Sequence, residues 1–338
     1  MDSTLRPMST SQILDRTFYL YRKNFLLFMG IALVAPALSL VSRLVLLAIF
    51  GQPVVPQPGN LDPAIWQGLI VQIVVGTIVG VMVYAVGNAL ASSATIHAVS
   101  MVHLGKTTTI RESYAKIKPI FWRVLRIIFT ICFFAFAPFV LAYGLIIVAS
   151  LGAFLLLKGG GSGGVALGLV ALIVGLVGFA GICASAVWMI YAWCRYALAV
   201  PASTLENLPA RQALVRSRLL SKGSRGRIFA VFFLTGLMTI VLSYVLQVPA
   251  LIANHMFVIN AQTRFSTASI LWIYLAEFLA AMLAGPIATI AVALLYYDER
   301  VRREAFDLQL MMDALGQQPA LAQPDATQAA TAGPPGLT

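Results

Sequence analysis

Residues 268–297 read ASILWIYLAEFLAAMLAGPIATIAVALLYY and carry one charge, Glu277. About 20 mostly apolar residues suffice for a helix to cross the hydrocarbon of a bilayer. This stretch is longer, so it must tilt or run past the bilayer as helix. The chain then turns at once to DERVRREAFDLQLMMDAL (298–315). There Asp298 with Arg302, Glu299 with Arg303, Arg300 with Glu304 and Arg303 with Asp307 stand four residues apart. Such pairs each support a helix by about 0.2–0.5 kcal/mol. Val301, Ala305, Leu308, Met312 and Leu315 form one apolar stripe, so the last span is expected to continue as an amphipathic cytoplasmic helix.

Five other runs share the apolar character: 25–50, 65–98, 121–157, 165–200 and 228–253. The expectation is an all-α polytopic membrane protein with six transmembrane helices. Composition agrees, with 60% hydrophobic and 10% charged residues in 338 and a mean hydropathy of +0.89. Soluble domains run at about 45–50% apolar and about 25% charged. A soluble enzyme, a disordered chain and a disulfide scaffold are thereby excluded. Nothing resembles a cleaved signal peptide, because a polar, charged segment precedes the first apolar run.

The net charge of +11 is distributed by loop. Arg6, Arg16, Arg22 and Lys23 precede the first span. Lys106, Arg111, Lys116, Lys118, Arg123 and Arg126 fall between the second and third. Arg195, Arg211, Arg216, Arg218, Lys222, Arg225 and Arg227 fall between the fourth and fifth, and Arg300, Arg302 and Arg303 follow the sixth. The alternate loops hold only Lys158 and Arg264. Lys and Arg resist translocation, so the basic side is expected to be cytoplasmic, with both termini inside. This topology accounts for the charge without nucleic acid. The alternate loops are short and rich in Gly, Pro and Asn, as turns are. Residues 1–316 are thus read as one six-span domain, and 317–338, rich in Gln, Pro, Ala and Thr, as a disordered tail.

Short amphipathic segments precede the odd-numbered spans, near 9–24, 107–120 and 209–222. Leu14, Phe18, Tyr21 and Phe25 are spaced as one helical stripe, as are Ile110, Tyr114, Ile117 and Phe121. Leu214 keeps the phase in the third segment, and a hydroxyl recurs at Thr17, Ser113 and Ser217. The recurrence suggests three parallel units, each an interfacial helix followed by two spans. Helices of this kind lie in the headgroup layer with Lys and Arg toward anionic lipid. Arg16, Arg22, Lys23, Arg216, Arg218, Lys222, Arg225 and Arg227 are the candidate headgroup or partner surface. Asp298, Arg300, Arg302, Arg303, Glu304 and Asp307 are candidates for a contact between the acidic tail helix and the basic helices.

Ionisable groups within a membrane are functional candidates. Arg43 and Glu277 stand at similar depths, about 10 Å and about 14 Å from the outer ends of their spans. They form a candidate polar pair if the first and last spans are neighbours. Asn88, Gln247 and Tyr84 are candidates for interhelical hydrogen bonds. Gly76–Gly80 and Gly164–Gly168 match the close-packing GxxxG spacing. Pro36, Pro138, Pro249 and Pro286 can kink their spans. Cys132, Cys183 and Cys194 read as small buried hydrophobes. The last two lie about 16 Å apart along a helix, beyond the roughly 7 Å a disulfide spans. His97, His103 and His255 lack zinc-ligand spacing. No phosphate-binding GxxxxGK[ST], HExxH or GxSxG motif occurs, so no cofactor and no catalytic residue is assigned.

Three stretches carry a family likeness: LRPMSTSQILDRTFYLYRKNF, PASTLENLPARQALVRSRLLSKGSRGRIF and LLYYDERVRREAFDLQLM. They resemble the bacterial glycerophosphoryl diester phosphodiesterase membrane-domain family, over roughly residues 5–315. The resemblance implies the membrane portion alone. The family's HRG and ExD catalytic motifs are absent from this sequence, and no segment could hold a barrel of about 250 residues. The expectation is a non-enzymatic protein of the bacterial cytoplasmic membrane, a scaffold or accessory. It would engage anionic lipid headgroups, a protein partner or a second copy through its basic helices. The alternative is a transporter or channel-like protein for a lipid or glycerophosphodiester. A membrane-embedded enzyme ranks below both.

Overall fold

The chain folds as a run of helices, seen in a computed structural model that describes residues 8–52, 63–103, 105–158, 164–257 and 267–304. In chain order these are α1 (Thr10–Lys23), α2 (Phe25–Ala32), α3 (Val34–Phe50), α4 (Pro63–His103), α5 (Ile110–Ile117) and α6 (Phe121–Lys158). Then come α7 (Gly164–Tyr196), α8 (Ala199–Leu205), α9 (Ala210–Ser221), α10 (Arg225–Phe257) and α11 (Thr267–Glu304). Six helical stretches among the described residues are long and apolar enough to cross a membrane. They lie at Phe25–Phe50, Gln67–Val102, Ile110–Ile146, Ile173–Leu205, Arg225–Ile252 and Thr267–Glu304. The protein is an all-α polytopic membrane protein.

Residues 8–296 form one compact unit. Within it α3 packs along α4 and α6 along α7. Both contacts depend on glycine. A Cβ on Gly87 would stand 3.0 Å from the Cα of Ala35, and one on Gly178 would meet Ile146 at 2.2 Å. Gly76 and Gly80, the sequence's GxxxG pair, have nothing within 4 Å of such a Cβ. Close packing on α4 therefore falls about two turns beyond the motif. The surroundings of Gly164 and Gly168 lie outside the described residues.

Where prolines interrupt the helical ladder, aromatic donors from other helices reach carbonyls close by. A proline lacks its N–H, and its ring pushes on the carbonyl four residues earlier. In hydrocarbon a carbonyl left so exposed needs another donor. Each of the four spans concerned has an aromatic donor nearby. Trp188 Nε1 donates to Phe134 O, the carbonyl freed by Pro138, at 3.0 Å. Trp272 Nε1 donates to Leu246 O, three residues before Pro249, at 3.0 Å. Tyr21 Oη donates to Leu283 O, three before Pro286, at 2.8 Å. Tyr114 Oη donates to Ile31 O at 2.5 Å, in the last turn of α2. There Pro36 presses on Ala32, and the first span divides into α2 and α3 at Leu33.

The short helices α1 and α5 begin with side-chain caps, and α9 begins after Pro209 without one. Ser9 and Gln12 form a reciprocal capping box on α1, and Thr109 accepts from the Glu112 N–H at 3.2 Å on α5. The side of α1 that packs inward is Ile13, Thr17 and Leu20, one residue round from the expected stripe. Phe18 of that stripe is exposed, as are Phe25 and Ile110. A helix with bundle on one side and an apolar phase on another has two apolar faces, and hydropathy alone does not rank them. The recurring hydroxyls Thr17, Ser113 and Ser217 are all fully buried. Thr17 and Ser113 bond back to the carbonyls of Ile13 and Thr109, at 2.7 and 3.0 Å.

From Tyr297 the last turns of α11 carry the predicted ion pairs. Arg302 meets Asp298 at 2.9 Å, while Arg303 meets Glu299 and Arg300 meets Glu304, each at 3.3 Å. Asp307, the stripe beyond Val301 and the 317–338 tail lie outside the described residues.

Candidate functional site

The candidate site lies between the α3–α4 hairpin and α10–α11. Arg43 on α3 and Glu277 on α11 form an ion pair, Nη1 to Oε2. The first and last spans are therefore neighbours, as the pairing requires. Gln52 Nε2 and Thr267 Oγ1, beyond the far ends of the same two helices, are hydrogen-bonded at 2.6 Å. The guanidinium of Arg43 also stands over the Tyr274 ring, 5.5 Å from its centroid. A cation held against a ring face gains about 0.5–1 kcal/mol when exposed and more when desolvated.

Two cavities share Arg43 in their lining, and Glu277 lines one of them. The larger, about 510 Å³, extends from Arg43, Tyr84 and Glu277 toward Ala32, Pro201 and Val292 at the basic end of the helices. The span from Arg43 to Ala32 is about 16 Å along a helix axis. Its walls are largely aliphatic and aromatic, interrupted by Ser39, Asn88, Ser92, Thr95, Thr239 and Thr289. Most of these hydroxyls already donate to carbonyls of their own helix: Ser39 to Ala35, Ser92 to Asn88, Thr239 to Thr235. Asn88 donates to Tyr84 O at 3.2 Å. The lining is thus mostly apolar, with the strong polarity concentrated at one end. The smaller cavity, about 440 Å³, continues from Arg43 to Gly51 and Gln72 at the opposite end. Ser39, Arg43, Tyr84 and Tyr274 line both. The side chains of Arg43 and Glu277 keep 47% and 38% of their surface open; Arg43 faces both cavities and Glu277 the larger.

The basic residues singled out in the sequence divide into two groups. Arg16, Arg22, Lys23, Arg218 and Lys222 are exposed. They sit beside the exposed apolar side chains Phe18, Tyr19, Val215 and Leu219. Three others are engaged in holding the fold. Arg227 donates to Met8 O at 2.9 Å, and Arg225 lies over the Tyr191 ring at 4.9 Å. Arg216 pairs with Glu206 through Nε and Nη2, at 3.1 and 3.2 Å.

Glu206 is the residue that sequence reading passed over. It also accepts from the hydroxyl of Tyr296, a fully buried side chain. One carboxylate therefore ties α8, α9 and α11 together. The chain turns directly after it: Asn207 has φ +57°, a conformation Asn tolerates better than most residues. Arg123 on α6 clasps that turn through Asn207 O and Leu208 O, at 2.6 and 3.2 Å. Ser217 and Ser221 on α9 donate to Arg195 O at 3.0 and 3.1 Å, satisfying the end of α7. A signal was present in the sequence: Glu206 is the single acid in a connection with seven basic residues.

Burial raises the Tyr21 phenol above its ordinary value, so it remains a protonated donor to Leu283 at any physiological pH. Gln247 is half-buried. Cys132 and Cys194 are buried and Cys183 is exposed, all as free thiols. His97 is half-buried, and the side chains of His103 and His255 lie outside the described residues. Among the described residues no three His, Cys, Asp or Glu come together to hold a metal.

The fold and these cavities define a polytopic helical membrane protein with a mostly apolar cavity among its helices. Comparison with protein-family models, curated proteins and solved structures finds no match to this chain.

Proposed function

We propose that the protein binds an amphipathic, lipid-like molecule between its first and last hairpins and passes it along the bundle, as a transporter or channel-like protein. The observation that carries this reading is the Arg43–Glu277 pair, with Arg43 facing both cavities and Glu277 the larger. Apolar walls with a few polar groups at one end are what sites for such ligands share. An ion pair at membrane depth is costly unless it serves a path or a partner. The reading assigns no chemical step to the chain. It accords with the resemblance to the phosphodiesterase membrane-domain family, whose membrane portion it would share without the enzyme.

Filling the larger cavity tests the proposal. Ala281 lines it, and Ala281→Trp should occupy much of its volume. Lipids extracted from the purified wild-type chain should include one species at about one per protein, and the variant should lose it. Identical lipid profiles for the two proteins would overturn the reading.

The scaffold reading has its own support in the exposed basic residues beside Phe18, Tyr19, Val215 and Leu219. Each Lys or Arg held near an anionic membrane surface contributes about 1 kcal/mol of attraction. Both readings share a proposed orientation, with the basic ends of the helices and both termini on the cytoplasmic side of a bacterial inner membrane. They also share the three-unit organisation, each unit opening on a headgroup-layer helix. In right-side-out vesicles, with the native cysteines replaced, Gln52→Cys should react with a membrane-impermeant maleimide and Lys106→Cys should be protected. The reverse pattern would invert the topology.

A further inference from the structure

We infer that Arg43 is the recognition site for the ligand's polar group, that this group is an anion, and that it binds by taking the place of Glu277. The inference rests on the cavity reading and specifies its chemistry. Among the described residues Arg43 is the only Lys or Arg that lines either of the two adjoining cavities, and Glu277 is the only Asp or Glu. The cavities together offer a ligand one fixed cation and one fixed anion, already engaged with each other. A guanidinium presents a planar fork of donors that matches the two oxygens of a phosphate or carboxylate, and it stays charged at every relevant pH. Only one of its terminal nitrogens meets Glu277, and the Tyr274 ring supports the guanidinium from one face. The fork therefore has donors to offer an arriving anion before the internal bond is given up.

The alternative polarity is a cationic ligand held by Glu277. The geometry favours the anion. Tyr274 is stacked on the guanidinium, so Arg43 keeps its place when Glu277 leaves. Among the described residues Glu277 has no second partner to hold it if Arg43 were drawn away. Exchange also explains how an ion pair can sit beside such cavities: it is closed at rest, and it opens only to a molecule that supplies the replacement charge. A neutral amphiphile enters the apolar chamber but leaves the pair intact. The ligand class is thus an anionic amphiphile, with a phosphate or carboxylate at Arg43 and its apolar part along the wall toward Ala32 and Val292.

The internal competitor gives the test a distinctive sign. Native mass spectrometry of the full chain in a neutral detergent would be titrated with oleate, dioleoylphosphatidylglycerol and dioleoylglycerol. Glu277→Gln removes the competing carboxylate and should tighten binding of the anionic probes by about tenfold. Arg43→Gln should weaken them by at least about tenfold, and Arg43→Lys should fall between, because it keeps the charge and loses the fork. Dioleoylglycerol should bind all four proteins alike. Preference for oleate over phosphatidylglycerol, or the reverse, identifies the anion as carboxylate or phosphate. If Arg43→Gln does not fold, the gain in Glu277→Gln and the intermediate Arg43→Lys still decide the matter. Equal binding of anionic and neutral probes to every variant would overturn the exchange while leaving the cavity reading intact. Weaker anion binding in Glu277→Gln would overturn it too. Failure of every probe to bind wild type, together with no effect of Ala281→Trp, would overturn both.

Discussion

Glu206→Ala lowers the unfolding temperature of the detergent-solubilised chain well below that of wild type, whereas Arg16→Gln leaves it unchanged. The reason is what each side chain touches. Glu206 is 18% exposed and its partner Arg216 27%. Removing the carboxylate takes a contact from a largely buried guanidinium and from the buried hydroxyl of Tyr296 together. A hydrogen bond to a charged group contributes about 1.5–3 kcal/mol, and here two such contacts converge. The turn clasped by Arg123 follows immediately, so the loss reaches the α8–α9 connection as well. Tyr296→Phe removes one contact and leaves the ion pair, so it should cost less than half as much. Arg16 is exposed, with only a ring contact to Tyr19, and surface substitutions of that sort stay within about 0.5 kcal/mol. Equal unfolding temperatures for Glu206→Ala and Arg16→Gln would show that the carboxylate is not the tie described.

Gly87→Leu drives α3 away from α4, and Gly80→Leu does not. At Gly87 the obstacle is backbone: the added Cβ meets the Ala35 Cα at 3.0 Å and its Cβ at 3.1 Å. A helix cannot yield there as a flexible side chain would, and overpacking of this kind costs about 1–3 kcal/mol. At Gly80 the same atom meets nothing within 4 Å. The functional cost should exceed the loss of stability. Asn88 adjoins Gly87, and Pro36 adjoins Ala35; both line the larger cavity. Separating the helices there alters the chamber itself. Thermal unfolding and retained lipid, measured on the same preparations, should show Gly87→Leu losing both and Gly80→Leu keeping both. A Gly87→Leu protein with unaltered lipid content would refute the link between this contact and the chamber.

Much of the architecture was legible from residue order, and particular residues show why. A run such as 25–50 has few ways to satisfy its backbone except as a spanning helix, so the spans could be placed closely. Arg43 and Glu277 could be paired because charges are rare at such depth, which leaves few partners to choose among. The limits were physical too. Leu14 and Phe18 looked like the inward stripe of α1, but Ile13 and Thr17 pack inward. Both faces of such a helix carry apolar residues, so periodicity finds a stripe without saying which one packs inward. Glu206 was missed because one acid among seven bases reads as a solvated charge until its distant partners, Arg216 and Tyr296, are known. The cavities were invisible for a related reason. A void is a relation among six or more segments, and no single segment carries its signature. The prolines were seen as kinks. The aromatic donors that satisfy the nearby carbonyls come from other helices and could not be matched to them in advance.

The break at Leu33 has a mechanical consequence. Because α2 and α3 meet at Leu33, where the backbone stays helical but Pro36 withholds an N–H from the ladder, the segment beyond is a lever with its fulcrum at Leu33. Arg43 lies ten residues out, about 15 Å along the axis. A rotation of only about 10° at the fulcrum carries that position sideways by roughly 3 Å, on the rise of an α-helix. That is about the length of a hydrogen bond. The Tyr114 hydroxyl is fastened to Ile31 O just short of the fulcrum, so the short arm is braced, while the long arm lies along α4 and is tied at Arg43 to Glu277 and Tyr274. Force applied at the tip is thus passed to α4 through the close contact of Ala35 with Gly87.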